Sequence, residues 1–177
     1  AMRHPAPIVW RGRPRPPRDA AYATTEAGAE AARRRDAWIA CSTQMRAEHP
    51  ELLDLAYGPK PRNTIDVFRC GRGRAPLFVF IHGGYWQRNA KEMFACMADG
   101  PLARGFDVAL IGYTLAPEAT LTEIVAETPA AIRWLPREGT RRGVAEGTLE
   151  LCGVSAGGHL TAAVLHVAAV AAGIGSS

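Results

Sequence analysis

Apolar and polar residues alternate in blocks along this chain, and the spacing within the blocks predicts strands. Residues 63–69 alternate, with Ile65 and Val67 set against Thr64 and Asp66, which is typical of a strand with one buried face. Residues 76–81 and 106–113 are nearly continuous apolar runs, and such runs favour strands covered on both faces. A third buried strand is predicted over residues 148–154.

Helical spacing fills the intervals between these strands. A helix-start signal at residues 24–26 opens an Ala- and Arg-rich helix that runs to about residue 47. Further helices are predicted over residues 91–99 and 121–135, and from Gly157 onward. Strands that alternate with helices indicate an α/β fold with a doubly wound, mostly parallel sheet.

The charge of the chain is concentrated at its N-terminus. Residues 1–20 hold five Arg and one Asp, which equals the net charge of +4 of the whole chain, so the remaining residues balance. Pro14, Pro16 and Pro17 exclude a helix in this tail and favour an extended conformation. We interpret residues 1–20 as a solvated basic tail rather than a site for nucleic acid or anionic lipid, and residues 21–177 as part of one α/β domain.

Composition narrows the class of protein further. Hydrophobic residues make up 47% of the chain, which is normal for a globular domain, and no apolar run is long enough to span a bilayer. The N-terminus lacks the apolar core of a signal peptide, so we expect a cytoplasmic protein without a membrane partner. The four cysteines form no C-x-x-C pair, and we expect neither a structural zinc nor any other metal site.

A G-x-S-x-G pattern at residues 153–157 is the strongest chemical signal. It lies directly after a predicted strand and directly before a predicted helix, which is the context of a nucleophile elbow. In that turn a strained backbone lifts the hydroxyl of Ser155 above the sheet edge. The helix that follows directs its positive end at developing negative charge, and the N–H of Ala156 becomes a candidate oxyanion donor.

A second pattern, H-G-G-Y-W at residues 82–86, follows the strand predicted at residues 76–81. In hydrolases with an elbow, this loop supplies backbone N–H groups to the oxyanion hole. The candidate donors are Gly84 and Tyr85, with Gly83 close by. Trp86 is either part of an aromatic wall for an aryl substrate or packed beneath the loop. His82 is interpreted as a brace of the loop rather than a base.

These motifs, with residues 113–118 and 121–135, make the chain similar to the α/β-hydrolase superfamily, and within it to the arylformamidase (kynurenine formamidase) and esterase group. The resemblance covers residues 21–160. It implies a hydrolase without a cofactor that acts on a small-molecule amide or ester, with Ser155 as nucleophile and Gly83, Gly84 and Tyr85 in the oxyanion loop. The best-known reaction of this group is the hydrolysis of N-formyl-kynurenine. Oligomeric state is left open, a homodimer included.

The remaining triad residues are missing from the expected place. In this fold the acid and the histidine follow the serine, yet residues 156–177 contain no Asp or Glu. His159 and His166 are predicted to be structural, because their helix leads away from the elbow, and Glu118, Glu123 and Glu127 to lie on a solvated helix or its approach. We therefore expect a fold that is incomplete at the C-terminus and a chain that is inactive by itself.

Three functions remain open at this point. The first is an arylformamidase-type serine hydrolase, and the second is a general carboxylesterase. The third is a binding module that keeps the pocket but lacks the triad.

Overall fold

The apolar runs of the sequence form the strands of one five-stranded sheet. The computed structural model describes residues 29–144 and 147–171, so the predicted tail 1–20 and the boundary at residue 21 lie outside the described residues. The sheet lies in the compact unit that begins at Trp38. The strands are β1 (Leu55–Ala56), β2 (Thr64–Phe68), β3 (Leu77–Ile81), β4 (Asp107–Ile111) and β5 (Leu149–Gly153).

Helical segments follow the strands in the alternation that the sequence predicts. The α-helices are α1 (Ala29–Glu48), α2 (Asp99–Ala103), α3 (Leu121–Trp134) and α4 (Ala156–Ala171). A 3₁₀ helix covers Lys91–Ala98, and a π-helical turn (Leu135–Gly139) and a short 3₁₀ turn (Thr140–Arg142) follow α3. None of the helices in the described ranges is both long enough and apolar enough to cross a membrane.

The sheet is mixed, with spatial order β1-β2-β4-β3-β5. Strand β3 pairs in parallel with both β4 and β5, whereas β2 pairs antiparallel with β4 and with β1. Ile81 at the end of β3 is in register with Ile111 and with Gly153. The carboxyl ends of three parallel strands therefore meet at one edge, which is where ligands bind in open α/β sheets.

Both faces of the sheet are covered, as the doubly wound prediction requires. On one face Ile65, Val79 and Ile111 are fully buried in a cluster that includes Ile124 of α3 and Leu160 of α4. The opposite face buries a second cluster, centred on the 3₁₀ helix: Phe68, Phe80, Ala95, Ala98, Val108 and Leu110. Full burial of each large side chain stabilises the fold by roughly 1.5–3 kcal/mol.

Two local features differ from the sequence prediction. Strand β5 is an edge strand whose first two residues, Leu149 and Glu150, are exposed, so the prediction of a buried strand is wrong there. The helix predicted over residues 121–135 changes to π geometry at Leu135. Pro136 explains that change, because it has no N–H to donate to the preceding helical turn.

Candidate active site

The turn between β5 and α4 places Ser155 in a strained backbone conformation at the surface. Its φ of 54° is in the left-handed region, which non-glycine residues seldom adopt. Ser155 is exposed, and it immediately precedes the first residue of α4. The turn is closed by the N–H of Gly157, which donates to the carbonyl of Val154 over 2.9 Å. Strain of this kind is concentrated at functional sites.

The glycines of G-x-S-x-G are required by close packing within this turn. A Cβ on Gly153 would overlap the carbonyl oxygen of Gly157, and a Cβ on Gly157 would overlap the carbonyl oxygen of Ile81. These are backbone atoms of the sheet and of the helix, so no change of side-chain rotamer can relieve the overlap. The sequence pattern thus corresponds to a physical demand of the elbow.

The H-G-G-Y-W loop lies directly beside the elbow. A Cβ built on Gly83 would be 3.1 Å from the Cβ of Ser155 and 2.6 Å from the carbonyl oxygen of Val154. After this approach the chain turns sharply, with φ values of 129° at Gly84 and 55° at Tyr85. The structure therefore brings the predicted oxyanion loop and the predicted nucleophile into contact, although they are about seventy residues apart in sequence.

Three backbone N–H groups of the two motifs have no backbone hydrogen-bond partner in the part of the chain that the structure describes. Among the described residues, the backbone hydrogen bonds of turns, loops and caps include none donated by the N–H groups of Gly84, Tyr85 or Ala156. Ala156 is also the first residue of α4, where N–H groups have no partner within the helix and the helix dipole is positive. Free donors beside an exposed serine are what stabilisation of a tetrahedral oxyanion requires.

His82 braces the loop from within the protein. Its Nδ1 donates to the carbonyl oxygen of Gly83 over 2.8 Å, and its backbone carbonyl accepts from the hydroxyl of Tyr113 over 2.9 Å. The imidazole is buried and stacked between the rings of Tyr113 and Phe94. Burial lowers the pKa of His82 to about 4, so the ring is neutral at physiological pH. Burial likewise raises the pKa of Tyr113.

The two aromatic residues of the loop differ in their surroundings. Tyr85 is 57% exposed, with the guanidinium of Arg88 5.7 Å from the centre of its ring. Trp86 is half-buried, and its indole meets the ring of His159 edge-on at 5.3 Å. Its carbonyl oxygen accepts from the N–H of Ala116 over 2.7 Å. His159, predicted to be structural, thus packs against Trp86. The role of Trp86 as a substrate wall stays a prediction.

The sequence did not reveal an ionic cluster at the end of this loop, in which Lys91 and Asp66 are buried, Glu92 is half-buried and Asp54 is exposed. Lys91 is 2% exposed, and its ammonium contacts Asp66 at 2.7 Å, Glu92 at 2.7 Å and Asp54 at 2.5 Å. Arg46 of α1 also pairs with Asp66 and Asp54. The sequence offers one sign that Lys91 is special: it is one of only two lysines in the chain.

The three carboxylates of this cluster are close enough together to bind a metal ion, but the ammonium of Lys91 already lies among them. The oxygens of Asp54, Asp66 and Glu92 lie within 4.8 Å of one another. The ammonium of Lys91 contacts all three carboxylates. Burial acts to raise the pKa values of Asp54 and Glu92, but the hydrogen bonds and positive charge of Lys91, together with the charge of Arg46, outweigh it and lower both pKa values. We interpret the group as the anchor that ties the 3₁₀ helix to β2.

Glu127 corrects the prediction of a solvated acid. Its Oε2 accepts from the N–H of Thr114 over 2.7 Å and from Nδ2 of Asn63 over 2.9 Å, and its Oε1 lies 2.9 Å from Nζ of Lys60. The carboxylate therefore fastens α3 to the segment after β4. Glu123 has an ordinary exposed role, in a capping box with Thr120 at the start of α3.

The sheet, the strained serine turn and the glycine loop beside it define an α/β-hydrolase fold of the esterase type. The family model BD-FAE matches residues 66–171, which is more than half of the chain, and the chain belongs to that family. The match covers all of β3, β4 and β5, both site motifs and α4.

The chain is also similar in sequence and in structure to known hydrolases. The kynurenine formamidase of Drosophila melanogaster is 39% identical over 114 residues, covering 63% of this chain and 37% of that protein. A probable isoprenylcysteine α-carbonyl methylesterase of Oryza sativa is 29% identical over 116 residues, covering 64% of this chain and 28% of that protein. The crystal structure of a candidate thioesterase from Silicibacter sp. TM1040 superimposes with a TM-score of 0.73 at 34% identity, covering 82% of this chain and 54% of that one. The chain thus spans about a third of the curated relatives it matches.

Proposed function

We propose that this chain supplies the nucleophile and the oxyanion donors of a serine hydrolase that cleaves an aryl formamide of the N-formyl-kynurenine kind. The observation that carries the proposal is the junction of the two motifs. Ser155 has a left-handed φ and an exposed position, and the glycine loop comes so close that a Cβ on Gly83 would lie 3.1 Å from the Cβ of Ser155. Homologues that hydrolyse formamides and esters support the reaction class.

The chemistry is acyl transfer in two steps. The hydroxyl oxygen of Ser155 attacks the formyl carbon, and the carbonyl oxygen takes up negative charge as the tetrahedral intermediate forms. The N–H groups of Gly84, Tyr85 and Ala156 stabilise that charge. Collapse of the intermediate breaks the C–N bond and leaves a formyl ester on Ser155. The expelled aryl amine receives the proton that a general base took from the Ser155 hydroxyl during the attack. Water then hydrolyses the ester to formate.

The proposal requires a general base from outside the described residues. The buried ring of His82 is bonded to Gly83 through Nδ1, and the ring of His159 packs against Trp86. Residues 156–177 offer no acid to orient a histidine. The matched relatives are long enough to hold such residues, since this chain covers 37% of the Drosophila protein.

A small ester is the second candidate substrate, favoured by the resemblance to methylesterases. Both substrates present an acyl carbonyl group to Ser155. They differ in the leaving group, which is an amine for the formamide and an alcohol for the ester. A binding module that lacks turnover is the third candidate.

One kinetic comparison separates the three candidates. The complete gene product that carries these residues is assayed on N-formyl-kynurenine and on 4-nitrophenyl acetate, beside its Ser155→Ala variant. We expect turnover of the formamide with the higher kcat/KM, and the Ala variant to lose at least about 10³-fold in kcat. A higher kcat/KM on the ester would favour the carboxylesterase. If neither substrate is turned over in a way that requires Ser155, the binding module is the candidate that remains.

A further inference from the structure

The carbonyl group of Gly83 is held by two hydrogen-bond donors that lie in the same loop region. Nδ1 of His82 lies 2.8 Å from its oxygen, and Nδ2 of Asn89 lies 3.0 Å from the same oxygen. A carbonyl oxygen has two lone pairs, so both bonds can form together. His82 is buried, which places this oxygen on the interior side of the loop.

Fixing that oxygen also fixes the next N–H group. In a trans peptide the C=O and the following N–H belong to one plane and point in opposite directions. Because the oxygen of Gly83 is held toward the interior, the N–H of Gly84 is directed to the other side of the peptide. Gly83 is also the residue whose Cβ would lie 3.1 Å from that of Ser155.

Asn89 is itself fixed in position. Its carbonyl oxygen accepts from Nη2 of Arg62 over 2.5 Å, and Nε of the same guanidinium donates to the carbonyl of Tyr113 over 3.0 Å. Arg62 thereby ties Asn89 to the segment that follows β4. The φ of Asn89 is 71°, in the left-handed region that asparagine tolerates better than most residues.

The residue type suits this role. An asparagine side chain is short, carries an N–H donor and bears no charge. An aspartate of the same shape would direct a carboxylate at the carbonyl oxygen of Gly83 and would place negative charge near the oxyanion.

We propose that Asn89 is a positioning residue that aims the N–H of Gly84 at the substrate oxyanion by holding the carbonyl of Gly83. This inference rests on the proposed function, because it assigns Asn89 a part in the same oxyanion hole. Asn89 makes no contact with the reacting atoms, and its effect passes through the peptide between Gly83 and Gly84.

Kinetics of three variants of the complete gene product test the proposal. Asn89→Gly removes the amide and accepts the left-handed φ, Asn89→Asp keeps the shape but loses the donor, and Gln87→Ala is the control from the exposed part of the same loop. We expect both Asn89 variants to lose about 10- to 100-fold in kcat with KM within about threefold of the native value. An interaction used only in the transition state has that signature. The control keeps its kcat within about twofold.

A readout that needs no activity separates this inference from the proposed function. The ¹⁵N order parameter of the Gly84 amide is expected to be near 0.85 in the native protein and near that value in Gln87→Ala, and to fall toward 0.6 in Asn89→Gly. Ordered Gly84 in Asn89→Gly would overturn the proposal, as would a kcat within about twofold of native in both Asn89 variants. If the native protein shows no turnover that depends on Ser155, the proposed function fails, and the order parameter alone still decides whether Asn89 positions Gly84.

Discussion

At the scale of single residues, the elbow depends on positions where even a methyl group does not fit. Gly157 and Gly158 are adjacent at the start of α4, yet their surroundings differ. A Cβ on Gly157 would overlap the carbonyl oxygen of Ile81, whereas a Cβ on Gly158 would come no closer than 3.3 Å to the carbonyl oxygen of Gly153. This pair offers a matched test of the packing account.

We expect Gly157→Ala to lower the free energy of unfolding by about 1–3 kcal/mol, because the backbone of β3 must move to admit the methyl group. Gly158→Ala is expected to change stability by less than about 1 kcal/mol, since the helical preference of alanine offsets the tight contact. Urea titrations of the complete gene product measure both. Equal losses in the two variants would contradict the account of the elbow.

His82 gives the protein a predicted pH dependence. Burial lowers the pKa of His82 in the folded state to about 4, below its ordinary value of 6.5. The unfolded state therefore takes up a proton first as the pH falls, and stability decreases through this window. Between pH 7 and pH 5 we expect a loss of about 2 kcal/mol from this residue.

His82→Asn keeps a donor for the carbonyl of Gly83 and does not titrate in this range. Urea titrations of both proteins at pH 7 and pH 5 should show a smaller loss of stability in the variant. If the native protein and the variant lose stability equally over this range, the account of His82 as a neutral, buried brace is wrong.

At the scale of the elements, the 3₁₀ helix is held to the sheet by a buried charge. Lys91 contacts Asp66 of β2 at 2.7 Å, and the two side chains are 2% and 0% exposed. Removing Lys91 takes away one of the two cations that contact the buried carboxylate of Asp66, the other being Arg46, and loss of a partner from a buried ionic group is destabilising.

We expect Lys91→Met to reduce the free energy of unfolding by about 1–3 kcal/mol, because the ammonium that joins three carboxylates is lost, although Arg46 still pairs with Asp66. Lys60→Met is the control, since Lys60 pairs with Glu127 but is 38% exposed, and it should lose less than about 1 kcal/mol. Thermal and urea denaturation report both changes. A loss of under about 1 kcal/mol for Lys91→Met would refute its role as the anchor.

The elements also show what the sequence could predict. Strand β3 and residues 108–111 of β4 are apolar because the sheet is covered on both faces, and the bounds of both strands follow from the apolar runs within a residue or two. The edge position of β5 depends on pairing between distant strands, which periodicity within a segment does not encode. The 3₁₀ geometry of residues 91–98 was likewise missed, since its apolar spacing also fits an α-helix.

In the candidate site, too, the features set by local geometry could be predicted from the sequence, and those set by contacts between distant segments could not. Gly84 and Gly153 are required by the geometry of their own turns, which a short sequence pattern can encode. Gly83 and Gly157 are required by close contact between the two motifs, which the spacing within either motif does not encode.

The contacts of Lys91 and Glu127 join segments that are far apart in the chain, and a single charged residue in a helix gives no sign of its partner. Asn89 is also missed, although its bond to Gly83 spans only six residues, because hydrophobic periodicity does not encode the path of an irregular loop.

At the scale of the whole molecule, apolar surface remains open around β5 and α4. Within the described residues β5 pairs only with β3, and its other edge is unpaired. Several large apolar side chains nearby are exposed: Leu149, Val154, Leu165 and Val167. Open strand edges and exposed apolar patches promote association.

We therefore expect the isolated 177-residue chain to self-associate at micromolar concentration and to bind a hydrophobic dye such as ANS. The double variant Leu165→Glu/Val167→Lys should raise the monomer fraction in light scattering, because charge opposes contact between apolar patches. Arg35→Glu, on the exposed part of α1, serves as a charge control. A native chain that is monomeric and melts cooperatively would contradict this expectation.

The central claim is that Ser155 is a nucleophile presented by the elbow, and covalent labelling tests it most directly. The complete gene product is treated with a fluorophosphonate, whose phosphorus a reactive serine attacks with loss of fluoride, and the adduct is located by peptide mass spectrometry. The account predicts a single adduct on Ser155, absent from Ser155→Ala. An adduct on another residue, or none at all on the folded protein, would contradict it.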